Sequence, residues 1–404
     1  MQTLWDQRFA FRTKRMSASA IRELLKFTEQ PEVISFAGGL PAPELFPVDD
    51  FKRACTAVLD NNSAVALQYG TTEGYLPLRE LLIKITLEQG IPVDLSNVII
   101  TSGSQQALDL IGKIFINRGD HILVENPSYL GALQAWSAYG AEFVTVPNDE
   151  NGMCVDRLEE ALRAGPKFIY ALANFQNPTG NTLSLERRKK LVELADKYGV
   201  PIVEDDAYGR LRYEGEPLPT LQYLDSQIRE PSSSYSGNVI YMSSFSKILA
   251  PGLRLAWIVA PETVINHVNT CKQGADLHSS TFNQVVAYEI CRKNFLKEHI
   301  ELIQKTYRAR RNAMLDSLEE NMPAGVTWTH PEGGLFLWVE TPPSIDTIQL
   351  LKKALEQKVA FVPGAYFYAN GGGTNTMRLN FSCSNPEVIN EGIFRLSKLN
   401  KNKK

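Results

Sequence analysis

Short apolar runs alternate with helical stretches through the middle of the chain. The runs are Val98–Thr101 (VIIT), His121–Glu125 (HILVE), Glu142–Val146 (EFVTV), Lys167–Leu172 (KFIYAL), Pro201–Glu204 (PIVE), Val239–Ser243 (VIYMS) and Leu255–Ala260 (LAWIVA). Several are apolar at successive rather than alternate positions, as expected of strands buried on both faces. Helical patterns lie between them at Gln105–Ile116, Leu130–Tyr139 and Leu185–Lys197. This alternation predicts an α/β fold with a seven-stranded, mostly parallel sheet between helices. The polar stretch Asp225–Asn238 reads as a surface loop.

The pattern changes after Pro261. Long helical stretches are expected over Pro261–Gln273 and Phe282–Leu318. Strand-like runs follow at Val326–Thr329, Leu335–Val339, Val359–Val362 and Met377–Phe381, with helices at Ile345–Gln357 and Pro386–Leu399. This is the signature of a smaller α+β domain. A further helix is expected at Ala18–Thr28, and pattern alone does not say what it packs on.

Composition narrows the function. A chain of 404 residues is long enough for two to three domains at roughly 150 residues each. Lys+Arg 42 against Asp+Glu 45 leaves a net charge of −3, so nothing in the overall charge points to nucleic acid. Hydrophobic residues at 44% and charged residues at 22% exclude global disorder. The 5 cysteines are scattered, odd in number and form no Cys-x-x-Cys pair, which argues against a disulfide framework or a cysteine zinc site. The histidines form no His-x-x-x-His pair, and no metal is expected. No apolar run reaches membrane-spanning length, and the N-terminus lacks the apolar centre of a secretory signal. A cytoplasmic location with no membrane association is the expectation.

Candidate chemistry gathers at the ends of the apolar runs. Neither Gly-x-Gly-x-x-Gly after a strand nor a P-loop is present. Yet VIIT leads into Ser102-Gly103-Ser104-Gln105 and then a helix. Small residues there leave backbone N–H groups pointing at one place, where helix polarity favours a phosphate. The same segment could be no more than a capped helix. Lys247, in Ser244-Phe245-Ser246-Lys247 past VIYMS, stands where open α/β sheets bind ligands. Flanking hydroxyls at Ser244 and Ser246, with Arg254 close behind, suit an anion. A desolvated lysine has a lowered pKa and forms Schiff bases, whereas a solvated one is only a strand end. Asp205 closes the run PIVED, with Tyr208 three residues on. An acid at a buried strand end needs a cation, a donor array or a protonated ring nitrogen. Glu204, Asp205 and Asp206 make poor joint metal ligands, because successive strand side chains point in opposite directions. Asn177 sits in a turn-forming Asn-Pro-Thr-Gly, and Tyr129 follows HILVE, where it is either core or a cover for a flat ring. Arg378 is a charge inside the apolar run MRLNF, either in a half-exposed salt bridge or as a bidentate carboxylate ligand.

Together these residues, with the segments SAIRELLKF, SFAGGLPAPELFP, ALQYGTTEGYLPLRELL, TSGSQQALDLIGK, NFQNPTG, VEDDAYG, SSFSKILAPGLRLAW, KQGADLH and FVPGAYFYANGGG, carry a resemblance over nearly the whole chain. The sequence resembles fold-type I, pyridoxal-phosphate-dependent aminotransferases of class I/II, closest to the 2-aminoadipate and aromatic/kynurenine subgroup. The resemblance implies pyridoxal 5′-phosphate as cofactor and Lys247 as its covalent partner and the general acid/base. It implies Asp205 on the pyridine nitrogen, Tyr208 and Asn177 on the ring hydroxyl, and Tyr129 stacked on the ring. Gly103, Ser104, Gln105, Ser244, Ser246 and Arg254 would hold the phosphate, joined by Tyr69 from the second subunit of a homodimer. Arg378, Asn177 and Gly39 would hold the substrate α-carboxylate. Arg22, on the Ala18–Thr28 helix, would meet a distal carboxylate or swing away from an apolar side chain. The resemblance further implies ping-pong transfer between amino-acid and 2-oxo-acid substrates. It implies an N-terminal segment (1–45) joining the small domain, a large cofactor-binding domain (46–290) and a small C-terminal domain (291–404). A lyase on the same fold and an aminotransferase-like regulatory domain are the competing readings. The second would need a DNA-binding domain upstream, and SFAGGLP already begins at residue 35.

Overall fold

The computed structural model describes residues 3–16, 30, 32–293 and 295–400. Arg22 and the expected Ala18–Thr28 helix lie outside the described residues.

All seven expected strands form. They are β1 (Val98–Thr101), β2 (His121–Asn126), β3 (Glu142–Asp149), β5 (Ile169–Ala171), β6 (Ile202–Asp205), β7 (Val239–Ser244) and β8 (Ala256–Val259), and a two-residue edge strand, β4 (Gly152–Met153), adds an eighth. Their order across the sheet is β1-β8-β7-β6-β5-β2-β3-β4. Pairs among β7, β6, β5, β2 and β3 are parallel, while β8 runs antiparallel to both β1 and β7. Two reversals restore direction, so β1 points the same way as β7. Successive residues feed two separate cores. Ile100, Leu123, Ile169 and Ile202 pack on one face, and Ile99, Val124, Tyr170 and Val203 on the other. That double burial is why these strands read as unbroken apolar runs.

Helix boundaries follow local chemistry. Leu185–Tyr198 starts where Ser184 accepts from the Arg187 N–H and stops at Gly199 in the left-handed region (φ 62°). The stretch expected as one helix over Phe282–Leu318 is two, Thr281–Cys291 and Phe295–Asn321. The first packs on Val48–Ala66 and the second on Pro386–Asn400. Each has its own partner, and the helical periodicity on either side hides the break. The Asp225–Asn238 segment is likewise less free than its polarity suggested. Tyr235 is buried in it and donates to Asp225 Oδ2 at 2.6 Å.

The C-terminal part carries a four-stranded antiparallel sheet of β9 (Thr327–Trp328), β10 (Phe336–Glu340), β12 (Thr376–Asn380) and β11 (Val362–Pro363), in that spatial order. The apolar run Val359–Val362 serves two sheets. Its first two residues pair in parallel with Ile34–Ser35, and Val362 pairs with Arg378. This ties the N-terminal segment to the C-terminal part and carries Gly39 towards the large sheet. Among the described residues, no helix is long and apolar enough to cross a membrane.

Candidate active site

Strand direction gathers the site. The C-terminal ends of β1, β2, β5, β6 and β7 lie on one edge, and the start of the reversed β8 lies there too. Ser104 follows β1, Tyr129 follows β2, Asn177 follows β5, Asp205 ends β6, Lys247 follows β7 and Arg254 precedes β8. These residues line one cavity of about 550 Å³, together with Gly39, Gln105, Tyr208, Ser244, Ser246 and Arg378. Crevices at this edge are where open α/β sheets bind ligands.

The three consecutive acids separate as strand alternation requires. Glu204 turns away and accepts from the N–H groups of Leu221 and Gln222 at 2.8 and 2.9 Å, capping the helix Leu221–Gln227. Asp206 accepts from Asn174 Nδ2 and the Tyr241 hydroxyl. Asp205 faces the cavity. Its Oδ2 accepts from the Tyr170 hydroxyl at 2.8 Å, and its buried Oδ1 has no hydrogen-bond partner among the described residues. Burial pushes the Asp205 carboxyl up to about 7, against the Tyr170 hydrogen bond and with help from the Asp206 charge. A buried carboxylate with one bare oxygen fits a cationic N–H donor.

Across the cavity, Lys247 Nζ donates to the Gly39 carbonyl at 2.7 Å. Burial, with repulsion from Arg378 and Arg254, brings its ammonium down to about 8. Arg378 is 2% exposed on β12. It is not in the half-exposed salt bridge that its position in the sequence allowed. Its guanidinium donates to Asn177 Oδ1 at 2.8 Å and the Ala37 carbonyl at 2.7 Å, and Nε has no partner among the described residues. It lies 4.2 Å from the Phe336 ring centroid and 5.1 Å from that of Phe367. Desolvation lowers it to about 10. A buried guanidinium held by neutral acceptors and aromatic faces suits an incoming carboxylate. Burial raises Tyr208, opposed by the Arg378 charge and the Asn177 amide beside its hydroxyl.

The anion side is built on backbone. Gly103 caps Ser104–Phe115 with φ 85°, and as a glycine it offers no side-chain cap. The N–H groups of Ser104 and Gln105 precede the first intrahelical bond, which Gln106 makes to Gly103, and both residues line the cavity. A Cβ at Gly103 would lie 2.3 Å from Arg254 Nη2, so glycine allows the guanidinium to close over the turn. Ser244 and Ser246 join hydroxyls at 2.8 Å. Gln105 donates to the Gly131 carbonyl. Gly131 in turn makes room for the Tyr129 ring, whose atoms lie 2.5 Å from where its Cβ would be.

Sequence reasoning missed residues behind this surface. Lys272 is fully buried and donates to both Asp276 oxygens (2.8 and 2.9 Å), Gln106 and Ser279. Asp276 and Gln106 also receive the Ser102 hydroxyl and N–H, which fixes the turn before Gly103. The i,i+4 spacing of Lys272 and Asp276 was the available signal. Tyr170 was hidden inside an apolar run. Tyr69 is 78% exposed and does not line the cavity of its own chain, and its ring meets His278 edge-on.

The bare Asp205 oxygen, the Lys247 amine and the open helix N-terminus fit the ring nitrogen, carbonyl and phosphate of pyridoxal 5′-phosphate. Comparison with known proteins agrees. Residues 43–396 match the family described as aminotransferase class I and II, and the chain belongs to that family. It is 48% identical over 400 residues to an aromatic-amino-acid aminotransferase of Thermococcus litoralis, covering 97% of this chain and 94% of the relative. It is 45% identical to a 2-aminoadipate transaminase of Thermus thermophilus, covering 98% and 96%. The crystal structure of LysN, the α-aminoadipate aminotransferase of Thermus thermophilus complexed with N-(5′-phosphopyridoxyl)-L-leucine, superposes with a TM-score of 0.91 at 43% identity, over 98% of each chain. The protein is a fold-type I aminotransferase with pyridoxal 5′-phosphate as cofactor.

Proposed function

We propose that this aminotransferase moves the amino group of 2-aminoadipate or glutamate, and of aromatic or branched-chain amino acids, to a 2-oxo acid such as 2-oxoglutarate. The observation that carries the reading is the cavity itself. Among the described residues, Asp205 with one unpaired carboxylate oxygen, a lysine of lowered pKa and a guanidinium bonded to neutral acceptors line one space. The names of the relatives, aromatic-amino-acid aminotransferase and 2-aminoadipate transaminase, support both donor classes.

Bound pyridoxal phosphate supplies the electron sink for a substrate carbanion. Lys247, near 8, is neutral in a useful fraction of molecules near pH 7 to 8. As a neutral amine it would hold the cofactor covalently, and when displaced by substrate it would carry the proton from the substrate Cα to the cofactor's C4′ carbon. Asp205 would hold the proton on the ring nitrogen. Tyr208 and Asn177 would bind the ring hydroxyl, and Tyr129 would cover the ring face. The phosphate would be held by the Gly103–Gln105 turn, Ser244, Ser246 and Arg254, with Tyr69 of the partner subunit completing the site. Arg378, with Asn177 and the Gly39 backbone, binds the α-carboxylate. One cavity serves both half-reactions, so the first product leaves before the second substrate enters, giving ping-pong kinetics. Arg22 is proposed to meet the distal carboxylate of acidic donors. Residues 46–290 are proposed as the large domain, with 1–45 and 291–404 forming the small one. Five free cysteines accord with a reducing, cytoplasmic setting.

The test is a keto-acid product assay across a donor panel with 2-oxoglutarate. 2-Aminoadipate, glutamate, leucine and phenylalanine should all turn over. Arg22→Ala should weaken the acidic donors by about 1.5–3 kcal/mol and spare the others. Turnover of only one donor class, or equal loss for both, refutes dual recognition.

A further inference from the structure

We propose that Tyr170 is a positioning residue that keeps Asp205 ionised, and so keeps the proton on the cofactor's ring nitrogen. This rests on the reading of Asp205 as the partner of that nitrogen.

Sheet register brings the two side chains together. Tyr170 is the partner of Val203 across β5 and β6, and Asp205 is two residues further along β6 on the same face. The Tyr170 hydroxyl donates to Asp205 Oδ2 at 2.8 Å. Both residues are buried, and Trp136 packs edge-on against the Tyr170 ring at 4.9 Å, which keeps the ring in place. Tyr170 takes one carboxylate oxygen and, among the described residues, leaves the other, Oδ1, without a hydrogen bond in a residue that lines the cavity. It therefore selects the oxygen that meets the cofactor as well as stabilising the anion.

The need for this donor follows from the surroundings. Asp205 sits in a dry layer, and the nearby Asp206 charge opposes its ionisation. Tyr208 and Tyr129 line the same cavity, and the buried Glu125 lies on the neighbouring strand β2. None of these supplies positive charge to the carboxylate. Lys247 and Arg378 line the cavity but make their hydrogen bonds to Gly39, Asn177 and Ala37. Among the described residues, it is the Tyr170 hydroxyl that donates to the Asp205 carboxylate. Removing it shifts the shared proton from the ring nitrogen towards Asp205 Oδ1. The ring then withdraws electrons less strongly, although every group that touches substrate stays in place.

Tyr170→Phe removes one oxygen and keeps the ring. The holoenzyme, reconstituted with cofactor carrying 15N in its ring, should show a ring-nitrogen NMR signal displaced from the protonated towards the neutral position. The pH midpoint of the bound cofactor's absorbance should rise by about half a unit or more, the scale of one charge-assisted hydrogen bond partly transmitted through the ring. The kcat should fall about tenfold with KM for the amino donor unchanged, because Tyr170 lies behind the cofactor site. An unmoved nitrogen signal and midpoint overturn the proposal, even if activity falls. Asp205→Asn separates this from failure of the underlying reading. If Asp205→Asn leaves the ring-nitrogen signal in place, the Asp205 assignment itself is wrong. If Tyr170→Phe does not fold, fluorotyrosine at position 170 keeps the hydroxyl and makes it a stronger donor. The midpoint should then fall, and a midpoint that stays or rises overturns the proposal.

Discussion

Replacing Lys247 by methionine should stabilise the cofactor-free protein at neutral pH, although it destroys the enzyme. Lys247 has its ammonium brought from an ordinary 10.5 to about 8, first by burial and then by repulsion from Arg378 and Arg254. A base whose folded pKa lies below its unfolded one binds more protons in the unfolded state. Its penalty is present in full below about pH 8 and vanishes above 10.5, so wild-type stability rises with pH across that window. The gap is worth about 3 kcal/mol. Lys247→Met keeps an unbranched chain of similar length and removes that penalty. It also deprives the Gly39 carbonyl of its donor at 2.7 Å, a loss of about 1 kcal/mol. The net expectation is a gain of about 2 kcal/mol at pH 7. Urea denaturation of both cofactor-free proteins at pH 7, 8.5 and 10 measures it. The advantage should shrink steadily across the series and be nearly gone at the top. A variant less stable at pH 7, or a difference independent of pH, would refute the argument that the site holds its lysine against its own solvation.

Gly103→Ala should lower cofactor affinity at least tenfold in equilibrium dialysis, because φ 85° is strained for alanine and its Cβ would meet the Arg254 guanidinium. Unchanged affinity would remove Arg254 from the anion site. Arg378→Lys should cut kcat/KM for every amino donor by about 3 kcal/mol, since an ammonium cannot replace the planar fork between Phe336 and Phe367. A loss confined to acidic donors would place the α-carboxylate elsewhere. Mixing inactive Tyr69→Ala and Lys247→Ala subunits should restore part of the activity if sites are shared across a homodimer, and no recovery on subunit exchange would count against sharing.

Strand content was readable because burial on both faces leaves a continuous apolar run. All seven main strands appear within three residues of their expected ends. The edge strand Gly152–Met153 was too short to leave a pattern, and the break between Cys291 and Phe295 was masked by helical periodicity on either side. Candidate residues at strand ends were legible for a related reason. Lys247 or Asp205 after an apolar run is a polar group placed where the core stops, and the run itself marks the spot. The motifs around them are local in sequence, so the family was legible too.

What the chain encodes locally is therefore the set of strands, their approximate ends and the residue types that stand there. Which of those residues meet is decided by long-range pairing. The reversed β8 puts Arg254 over Gly103, though about 150 residues separate them in sequence. Register between β5 and β6 puts the Tyr170 hydroxyl on Asp205, when Tyr170 alone reads as one more core residue. Folding also sets the electrostatics. Asp205, Lys247 and Arg378 are an ordinary acid, an ordinary amine and an ordinary guanidinium until packing strips their water and sets their neighbours. Desolvation is a property of the surrounding shell, and that shell is drawn from the whole chain.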